Sequence, residues 1–366
     1  MNDSILIFSD EYPPNGGGTG TVAHKLVRDF SLNNKEVTLL TGDRSKQEEG
    51  IRHIQVPRYT FVWVLYYYYY LKIVINLHKY DFIILNDQVS AYLAGRFFDD
   101  DTLSKCVMII HGKDSKFFYS NKSKKHFVFN YKSNYTRAIS KVGKIVAVSE
   151  YNYNEFLNYL PLDIKENVIP RLSADYVGID SSELKGGEDH THVFKRLKNK
   201  IILLSVGRII KSKGYFKMLS EFNKLVQLNN MYHWIIVGDG ADLPLLESRI
   251  SELQLSDNIT IVGKIPRKSL GYFYKSSDCF WLLSEIEAFG LVYIEAAAFG
   301  LPSISPKAGG GSEAVIEGKS GYHYDETDDL PEMINRCIAL KSNSSPVEVS
   351  KMFKTEMFAE RLLKRG

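Results

Sequence analysis

Two glutamates, Glu287 and Glu295, lie eight positions apart where a predicted loop runs into a predicted helix. A buried strand should end near Leu283, and the helix should extend from about Gly290 to Phe299. Ionised carboxylates only accept hydrogen bonds, which suits them to the hydroxyl pairs of a ribose or a pyranose. The free amides at the start of the helix favour an anion. The segment therefore predicts a site for a nucleotide sugar, although two carboxylates alone are also compatible with a solvated loop beside an ordinary apolar helix.

Two cations, Arg208 and Lys213, lie five positions apart in the loop that follows the predicted strand IILLSVG. Arginine can donate two hydrogen bonds to one phosphate, whereas lysine acts as a point charge. We expect both side chains to bind phosphate groups, although cations in surface loops are otherwise common.

The segment EAFGLVYIEA, from Glu287 to Ala296, resembles the E-x7-E motif of retaining glycosyltransferases of the GT-B fold, family 4. In that family the first glutamate contacts the donor sugar and the second contacts the nucleotide ribose, and the resemblance assigns these roles to Glu287 and Glu295. The loop after the strand resembles the family's G-R-x-x-x-x-K-G, which implies that Arg208 and Lys213 clamp the donor diphosphate.

The resemblance implies further donor contacts. The glycine-rich loop EYPPNGGGTGT resembles the family's P-P-x-x-G-G turn, whose amides approach the diphosphate, and this points to Gly17 and Gly18. The backbone from Gly263 to Ile265 is expected to receive the base. The remaining expected donor-binding residues flank or begin the predicted helix: Phe289, Gly290, Leu291 and Val292.

His111 ends the predicted strand CVMIIHG, a position where ligands gather in parallel α/β sheets. The family commonly has a histidine here, near the donor sugar or the acceptor, although a lone histidine is also often structural. We expect the catalytic groups to be Glu287, His111, Arg208 and Lys213. The family usually has Asn-Gly where this chain has Arg171 and Leu172, which puts a donor contact there in doubt.

The N-terminus reads as strand, glycine-rich loop, helix and strand, the opening of a Rossmann-like unit. The loop lacks the complete dinucleotide fingerprint, which disfavours NAD binding. We predict an α/β protein with the GT-B fold, in which two Rossmann-like parallel-sheet domains face each other across a cleft. The predicted organisation is an acceptor domain over residues 1–176, a linker over 177–200, a nucleotide-sugar domain over 201–345, and a terminal helix over 346–366. The resemblance implies that this terminal helix crosses back to the first domain.

Composition excludes several classes of protein. The 366 residues suffice for two domains, and 44% apolar and 24% charged content are ordinary for a folded protein. A net charge of +3 is too small to argue for nucleic acid, and three scattered cysteines predict neither a disulfide framework nor a metal site. No signal peptide or membrane-spanning run is evident. The D-x-D within FFDDD, which ends at Asp101, is interpreted as a solvated turn, so no metal site is expected.

Aromatic and basic residues accumulate in the N-terminal half. The stretch from Tyr59 to Tyr80 contains five consecutive tyrosines, and Lys113 to Lys144 contains nine Lys or Arg but one acid. A helix packed on the sheet and a solvated helical face would explain these stretches, and RNA binding would need a motif that is missing. We predict peripheral attachment to an anionic membrane, because tyrosine suits the interface and basic residues are attracted to anionic lipid.

Together with these observations, the resemblance implies a metal-independent retaining glycosyltransferase that needs no cofactor. It would move a hexose from a UDP- or GDP-linked sugar to a glycan or a polyprenyl-linked acceptor in bacterial surface polysaccharide synthesis, such as lipopolysaccharide or capsule. We expect a cytoplasmic protein on the inner face of the cell membrane, with no nucleic-acid partner. The alternatives are an isomerase resembling sugar-nucleotide 2-epimerases and a noncatalytic module that binds nucleotide sugars.

Overall fold

The computed structural model describes residues 3–14, 17–42, 45, 47–57, 62–112, 114–121, 123–342 and 344–364. The chain forms two compact units, one of Met1–Val177 with Thr355–Gly366 and one of Gly178–Lys354. Each unit contains one sheet whose paired strands are all parallel. The prediction of two Rossmann-like α/β domains is therefore confirmed.

The first unit contains a seven-stranded sheet in the order β3-β2-β1-β4-β5-β6-β7. Its central strands are continuous apolar runs, as expected where helices cover both faces of a parallel sheet. The order reverses between β1 and β4, and the loops at their carboxyl ends therefore border a crevice. The strands are β1 (Ser4–Phe8), β2 (Glu36–Gly42), β3 (Arg52–Val56), β4 (Phe82–Leu85), β5 (Cys106–Ile110), β6 (Lys144–Ala147) and β7 (Leu172–Ala174).

Helices of the first unit connect successive strands. The aromatic stretch differs from the single helix predicted for it: an α-helical segment is followed by a π-helical turn over Tyr70–Val74 and a 3-10 turn over Leu77–Lys79, while residues 58–61 lie outside the described chain. The helices are α1 (Gly18–Leu32), α2 (Trp63–Tyr69), α3 (Gln88–Phe97), α4 (Asp100–Ser104), α5 (Asp114–Ser120), α6 (Lys124–Val128), α7 (Tyr131–Lys141), α8 (Glu150–Asn158) and α9 (Leu162–Val168).

The second unit contains a six-stranded sheet in the order β10-β9-β8-β11-β12-β13. Its order reverses between β8 and β11, which creates the equivalent crevice at their carboxyl ends. The strands are β8 (Ile201–Val206), β9 (Tyr232–Val237), β10 (Ile259–Gly263), β11 (Cys279–Trp281), β12 (Ser303–Pro306) and β13 (Gly321–Tyr324).

Residues 178–200, predicted as a linker, belong to the second unit. The amide of Gly187 donates to the Lys268 carbonyl at 3.0 Å, and a Cβ on Gly187 would lie 2.4 Å from the Ser269 nitrogen. This close packing explains why a polar, turn-rich segment is ordered against the unit. The helices here are α10 (Thr191–Phe194), α11 (Tyr215–Leu228), α12 (Leu243–Glu252), α13 (Leu270–Ser276), α14 (Leu291–Ala298), α15 (Gly310–Glu313), α16 (Leu330–Lys341) and α17 (Ser345–Lys351).

The C-terminal segment is two helices rather than one. After α17, a break over residues 352–354 precedes α18 (Thr355–Leu363), and the two helices belong to different units. The Arg361 Nε lies 2.6 Å from Asp175 Oδ2, and Lys144 Nζ donates to the Arg361 carbonyl at 2.7 Å. These contacts hold α18 on the first unit.

The last two features of the fold are the state of the cysteines and the lengths of the helices. Cys106, Cys279 and Cys337 are buried free thiols. Among the described helices, none is both long and apolar enough to cross a bilayer.

Candidate active site

The crevice of the second unit is built by two loops, one after β8 and one after β11. The Glu285 amide and the Ser284 hydroxyl both donate to the Ser212 carbonyl, at 3.0 and 3.2 Å. Gly214 has φ +77°, and a Cβ there would lie 2.2 Å from the Leu283 carbonyl oxygen. Only glycine permits this approach, which draws the two loops together.

Lys213 and Glu287 meet where these loops touch. Lys213 Nζ forms an ion pair with Glu287 Oε1, and the side chains are only 15% and 14% exposed. Burial, and to a lesser extent the charge of Glu287, raises the pKa of Tyr215 and of Tyr293 above the usual range. Two of the four side chains predicted to surround the donor are therefore in direct contact.

Helix α14 begins and ends close to the predicted positions. Gly290 precedes it with φ +79° and Gly300 follows it with φ +74°, which confirms the helix predicted from about Gly290 to Phe299. The first turn, which starts with Leu291 and Val292, contains no acidic residue, so its amides remain suited to an anion. The Tyr293 hydroxyl donates to the Leu282 carbonyl at 2.6 Å and anchors the start of the helix.

Phe289 lies differently from the other predicted donor-binding residues. Its side chain is 2% exposed and packs against Phe353, with ring centroids 5.4 Å apart. This side chain belongs to the core, so a donor contact at this position would fall to the backbone.

Glu295 lies in the second turn of α14, as predicted, but it is 1% exposed. Its Oε1 lies 2.6 Å from Arg267 Nη2, and its Oε2 accepts from the Tyr274 hydroxyl at 3.0 Å. Arg267 follows β10 and was not predicted from the sequence. Its only signal is a basic residue two positions after Ile265 in the predicted base-binding loop.

The other predicted site residues of the second unit are Arg208 and the backbone from Gly263 to Ile265. Arg208 is exposed, and its side chain makes no hydrogen bond or ion pair with other described residues. Gly263 has φ +82° and its carbonyl accepts from the Gly238 amide at 2.9 Å, while Ile265 is half-buried. The structure thus brings Lys213 and Glu287 into contact, places Glu295 beside Arg267, and leaves Arg208 exposed in the same loop as Lys213.

The crevice of the first unit contains a cavity of about 290 Å³. His111 lines it, and its Nε2 lies 3.1 Å from Asn86 Oδ1. The low-dielectric surroundings lower the pKa of His111 to about 4. Carboxyl groups also line the cavity, from Asp10, Glu11, Asp87 and Asp114.

Two of these carboxyl groups are strongly perturbed. Burial, and then the neighbouring Asp10, raises the pKa of Asp87 to about 7. Burial also raises the pKa of Asp114 to about 6, against the opposing effect of the Gly112 amide, which donates to its Oδ2 at 3.1 Å. Perturbed carboxyl groups beside a neutral histidine are typical of functional sites.

Gly17 and Gly18 lie at the start of α1. Gly17 is the residue before the helix, and its amide donates to Glu11 Oε2 at 3.4 Å. Gly18 is exposed, with open space where a Cβ would be. The preceding residues 15 and 16 lie outside the described chain.

Arg171 has a structural explanation. Its guanidinium donates to the carbonyls of Val142, Ile139 and Asn167, the first two at the C-terminal end of α7. These carbonyls lack helical partners, and a cation satisfies them. The arginine that departs from the family pattern is therefore fully engaged within its own unit.

The acidic triplet lies at the start of α4. Asp99 Oδ1 accepts from the Thr102 amide at 2.7 Å as the N-cap, and Asp100 pairs with Arg137 at 2.6 Å. Asp99 and Asp101 also approach His78, and all three are exposed, so the group could offer ligands to an ion. The Nε2 atom of His78 faces Asp99 at 3.4 Å, whereas its Nδ1 atom faces Asp101 at 3.8 Å. The two carboxylates therefore lie beside different ring nitrogens and do not converge with one nitrogen on a single ion.

Comparison with known proteins identifies the family and the fold of the chain. Residues 188–354 match the family model described as glycosyl transferases group 1, and residues 16–171 match the model for glycosyltransferase family 4. The chain belongs to the group 1 glycosyltransferases of the GT-B fold. The family resemblance seen in the sequence is thereby confirmed.

Relatives of this glycosyltransferase share modest identity. An uncharacterized glycosyltransferase of Haemophilus influenzae is 31% identical over 40% of this chain and 41% of its own length. The alpha-monoglucosyldiacylglycerol synthase of Acholeplasma laidlawii is 29% identical over 36% and 33%. The matched segments thus span well under half of these two relatives. An uncharacterized glycosyltransferase of Methanocaldococcus jannaschii is 25% identical over 91% of this chain and 88% of its own.

Solved structures share the fold of the glycosyltransferase along its whole length. Sucrose-phosphate synthase from Thermosynechococcus elongatus has a TM-score of 0.77 at 18% identity, covering 99% of this chain and 97% of its own. The Anabaena protein HepE in complex with UDP-glucose has a TM-score of 0.75 at 18% identity, covering 98% of both chains.

Proposed function

We propose that this glycosyltransferase transfers a hexose from a UDP- or GDP-linked sugar, with retention of configuration, to a glycan or a lipid-linked glycan acceptor. The observation that carries the proposal is the Lys213–Glu287 pair at the crevice between β8 and β11. It places a cation for phosphate and a carboxylate for hydroxyl groups side by side. The complex of HepE with UDP-glucose supports a nucleotide-sugar donor.

In the proposed reaction the diphosphate leaves the anomeric carbon and gains negative charge. Lys213, Arg208 and the amides that begin α14 stabilise that charge, since preorganised donors aimed at developing charge contribute strongly to catalysis. Glu287 holds hydroxyl groups of the sugar. The family resemblance assigns Glu295 to the nucleotide ribose, and Arg267 and Tyr274 hold its two carboxylate oxygens. This assignment supplies the charge stabilisation from side chains, without a metal ion or an organic cofactor.

A donor panel tests the proposal. UDP-, GDP- and ADP-sugars are compared by thermal shift, because a ligand stabilises the folded state according to its concentration relative to Kd. We expect one base to stabilise the protein, and nucleotide release that depends on acceptor and persists in EDTA. Isomerisation of the donor without acceptor would instead identify an epimerase. Binding without turnover would identify a noncatalytic module, and abolition by EDTA would refute metal independence.

We further propose that the first unit docks on an anionic membrane, where it would meet a polyprenyl-linked acceptor in surface polysaccharide synthesis. The outward face of α2 and the following π-helical turn is apolar: Leu65 and Ile73 are 65% and 66% exposed. The inward face of the same helix is also apolar, with Tyr67 and Leu71 buried. Because this helical segment is apolar on both faces, one face packs into the hydrophobic core while the other leaves apolar side chains exposed to solvent.

A second exposed apolar segment lies beside this helix. Phe127 and Val128 at the end of α6 are 89% and 72% exposed. The adjacent Phe129 contacts Trp63 of α2, with ring centroids 6.4 Å apart, so the two stretches, about 60 positions apart in sequence, are in contact. Exposed Lys72, Lys124 and Lys125 accompany it, and such residues each contribute about 1 kcal/mol near anionic lipid.

Flotation with liposomes containing anionic lipid tests the docking surface. We expect Phe127→Ser with Val128→Ser to reduce binding by about tenfold or more, since fully burying such an apolar side chain contributes roughly 1.5–3 kcal/mol and partial insertion of the pair still contributes more than about 1.4 kcal/mol. Lys124→Gln with Lys125→Gln should weaken binding to anionic but not to neutral vesicles; Lys122 lies outside the described residues. Leu228→Ser is the matched control, because Leu228 is 75% exposed on the second unit. If all variants floated with the liposomes as well as the wild type, the proposed docking surface would be wrong.

A further inference from the structure

His111 is held by Asn86, a residue that follows β4 in the first unit and is wholly buried. Its side-chain nitrogen Nδ2 lies 2.9 Å from the Ser9 hydroxyl oxygen and 3.0 Å from the Thr19 carbonyl oxygen. A carbonyl oxygen accepts hydrogen bonds and never donates them. The NH₂ group of Asn86 must therefore face Thr19, because an amide oxygen could not bond to that carbonyl, and this requirement fixes the orientation of the side-chain amide.

The orientation of the amide determines which nitrogen of His111 carries the proton. With Nδ2 directed at Thr19, Asn86 presents Oδ1 to His111 Nε2 at 3.1 Å. Because Oδ1 can only accept, Nε2 must donate. In a neutral imidazole the other nitrogen then has a lone pair, so Nδ1 of His111 is a hydrogen-bond acceptor.

The structure gives a side-chain hydrogen bond for Nε2 of His111, the Asn86 backbone carbonyl also lies near the ring, and the ring lines the 290 Å³ cavity. The groups that share this cavity and can titrate are the carboxyls of Asp10, Glu11, Asp87 and Asp114. The low-dielectric environment keeps the pKa of His111 at about 4, so the ring is neutral at physiological pH. The cavity is therefore rich in acceptors, which suits a ligand that donates from hydroxyl groups.

We propose that Asn86 is a positioning residue that fixes His111 in the Nε2–H tautomer, so that Nδ1 accepts a hydrogen bond from a carbohydrate hydroxyl group bound in the cavity. The carbohydrate nature of the ligand rests on the proposed glycosyl transfer. The tautomer rests only on the Ser9, Thr19 and Asn86 geometry.

The first measurement is the tautomer of the unmodified protein. Long-range ¹H–¹⁵N correlation spectra of the full chain labelled with ¹⁵N-histidine distinguish a protonated from a bare ring nitrogen, and His111→Gln assigns the signals. We expect Nε2 protonated and Nδ1 bare from pH 6 to pH 8. A protonated Nδ1, or a mixture of tautomers, overturns the proposal whether or not any variant folds.

Asn86→Asp supplies the second measurement. The carboxylate still accepts from Nε2 but favours the imidazolium, so the pKa of His111 should rise by about one unit or more. The acid limb of the pH profile of kcat/KM should move upward by the same amount. N86D adds a carboxyl group of its own and raises the pKa of the neighbouring cavity carboxyls, so the shift is assigned to His111 from the ¹⁵N signals of its ring recorded across the same pH range.

Asn258→Asp is the matched control. Asn258 is also a buried asparagine whose Nδ2 donates to a carbonyl, that of Tyr232 at 3.1 Å, but it lies in the second unit. N258D should lose comparable thermal stability while leaving the His111 signals and the pH profile unchanged. Unshifted signals in folded N86D refute the positioning role. Absence of transfer from every donor refutes the proposed function instead, and leaves the tautomer result standing.

Discussion

Replacing Lys213 with methionine tests the pair at the centre of the second unit. Methionine keeps most of the side-chain length and removes the charge. Unit charges about 4 Å apart interact by about 4 kcal/mol at an effective dielectric constant of about 20, whereas exposed pairs contribute at most about 1 kcal/mol. With side chains about 15% exposed, the pair lies between these limits, and we expect Lys213→Met to lower the free energy of unfolding by about 1–3 kcal/mol.

The same substitution should reduce turnover on the order of 100-fold, because it removes one preorganised donor to the departing diphosphate. Calorimetry should show weaker binding of the nucleoside diphosphate alone. Glu287→Gln should retain diphosphate binding but lose the additional affinity for the sugar nucleotide. The two variants thus separate the phosphate contact from the hydroxyl contact.

Lys211→Met is the matched control, because Lys211 is exposed in the same loop and has no ion pair among the described residues. It carries the same change in net charge. In a double-mutant cycle, Lys213→Met with Glu287→Gln should be less destabilised than the sum of the single variants, since no buried charge is left unpaired. If K213M matched K211M in both melting temperature and turnover, the assignment of Lys213 would be wrong.

Two further predictions concern buried carboxyl groups. Arg267→Met leaves Glu295 buried and uncompensated, but the Arg267 side chain is 41% exposed, so urea denaturation should show a loss of about 2–4 kcal/mol, against about 1 kcal/mol for Tyr274→Phe. Equal losses would show that the guanidinium does not compensate this charge. Because the pKa of folded Asp87 is raised from 3.8 to about 7, its contribution favours folding below pH 4 and is lost as pH rises to 7. Asp87→Asn should therefore gain stability relative to wild type between pH 4 and pH 7, measured by thermal melts; a constant difference would contradict the raised pKa.

Local sequence predicted the elements that position the candidate site. The apolar runs predicted the central strands, and Gly290 and Gly300 predicted the limits of α14 because each requires positive φ at a helix end. The spacing of Arg208 and Lys213 and of the two glutamates is a property of one loop and one helix, so it is visible without the fold. The family resemblance rests on these local patterns.

Residues that act through partners distant in sequence could not be identified in this way. Arg267 meets Glu295 across 28 positions, and Asn86 meets His111 across 25. The family resemblance implied that the C-terminal segment returns to the first domain, but the helical pattern gave no sign of the break over residues 352–354 that divides it into two helices in different units. The hydrophobic pattern of a short segment does not reveal such contacts, because they depend on the order in which the strands are arranged in the sheet.

The sequence by itself determined the family, the two α/β domains and the chemical types of the candidate donor site, since hydrophobic period, glycine conformation and charge spacing act over a few residues. Tertiary structure decided which carboxylate pairs with which cation and which nitrogen of His111 is protonated. It also decided which tyrosines of a uniform run are buried: Tyr67 is enclosed while Tyr68 and Tyr69 are about half exposed. The physical reason is that burial and pairing follow from the packing of segments far apart in the chain.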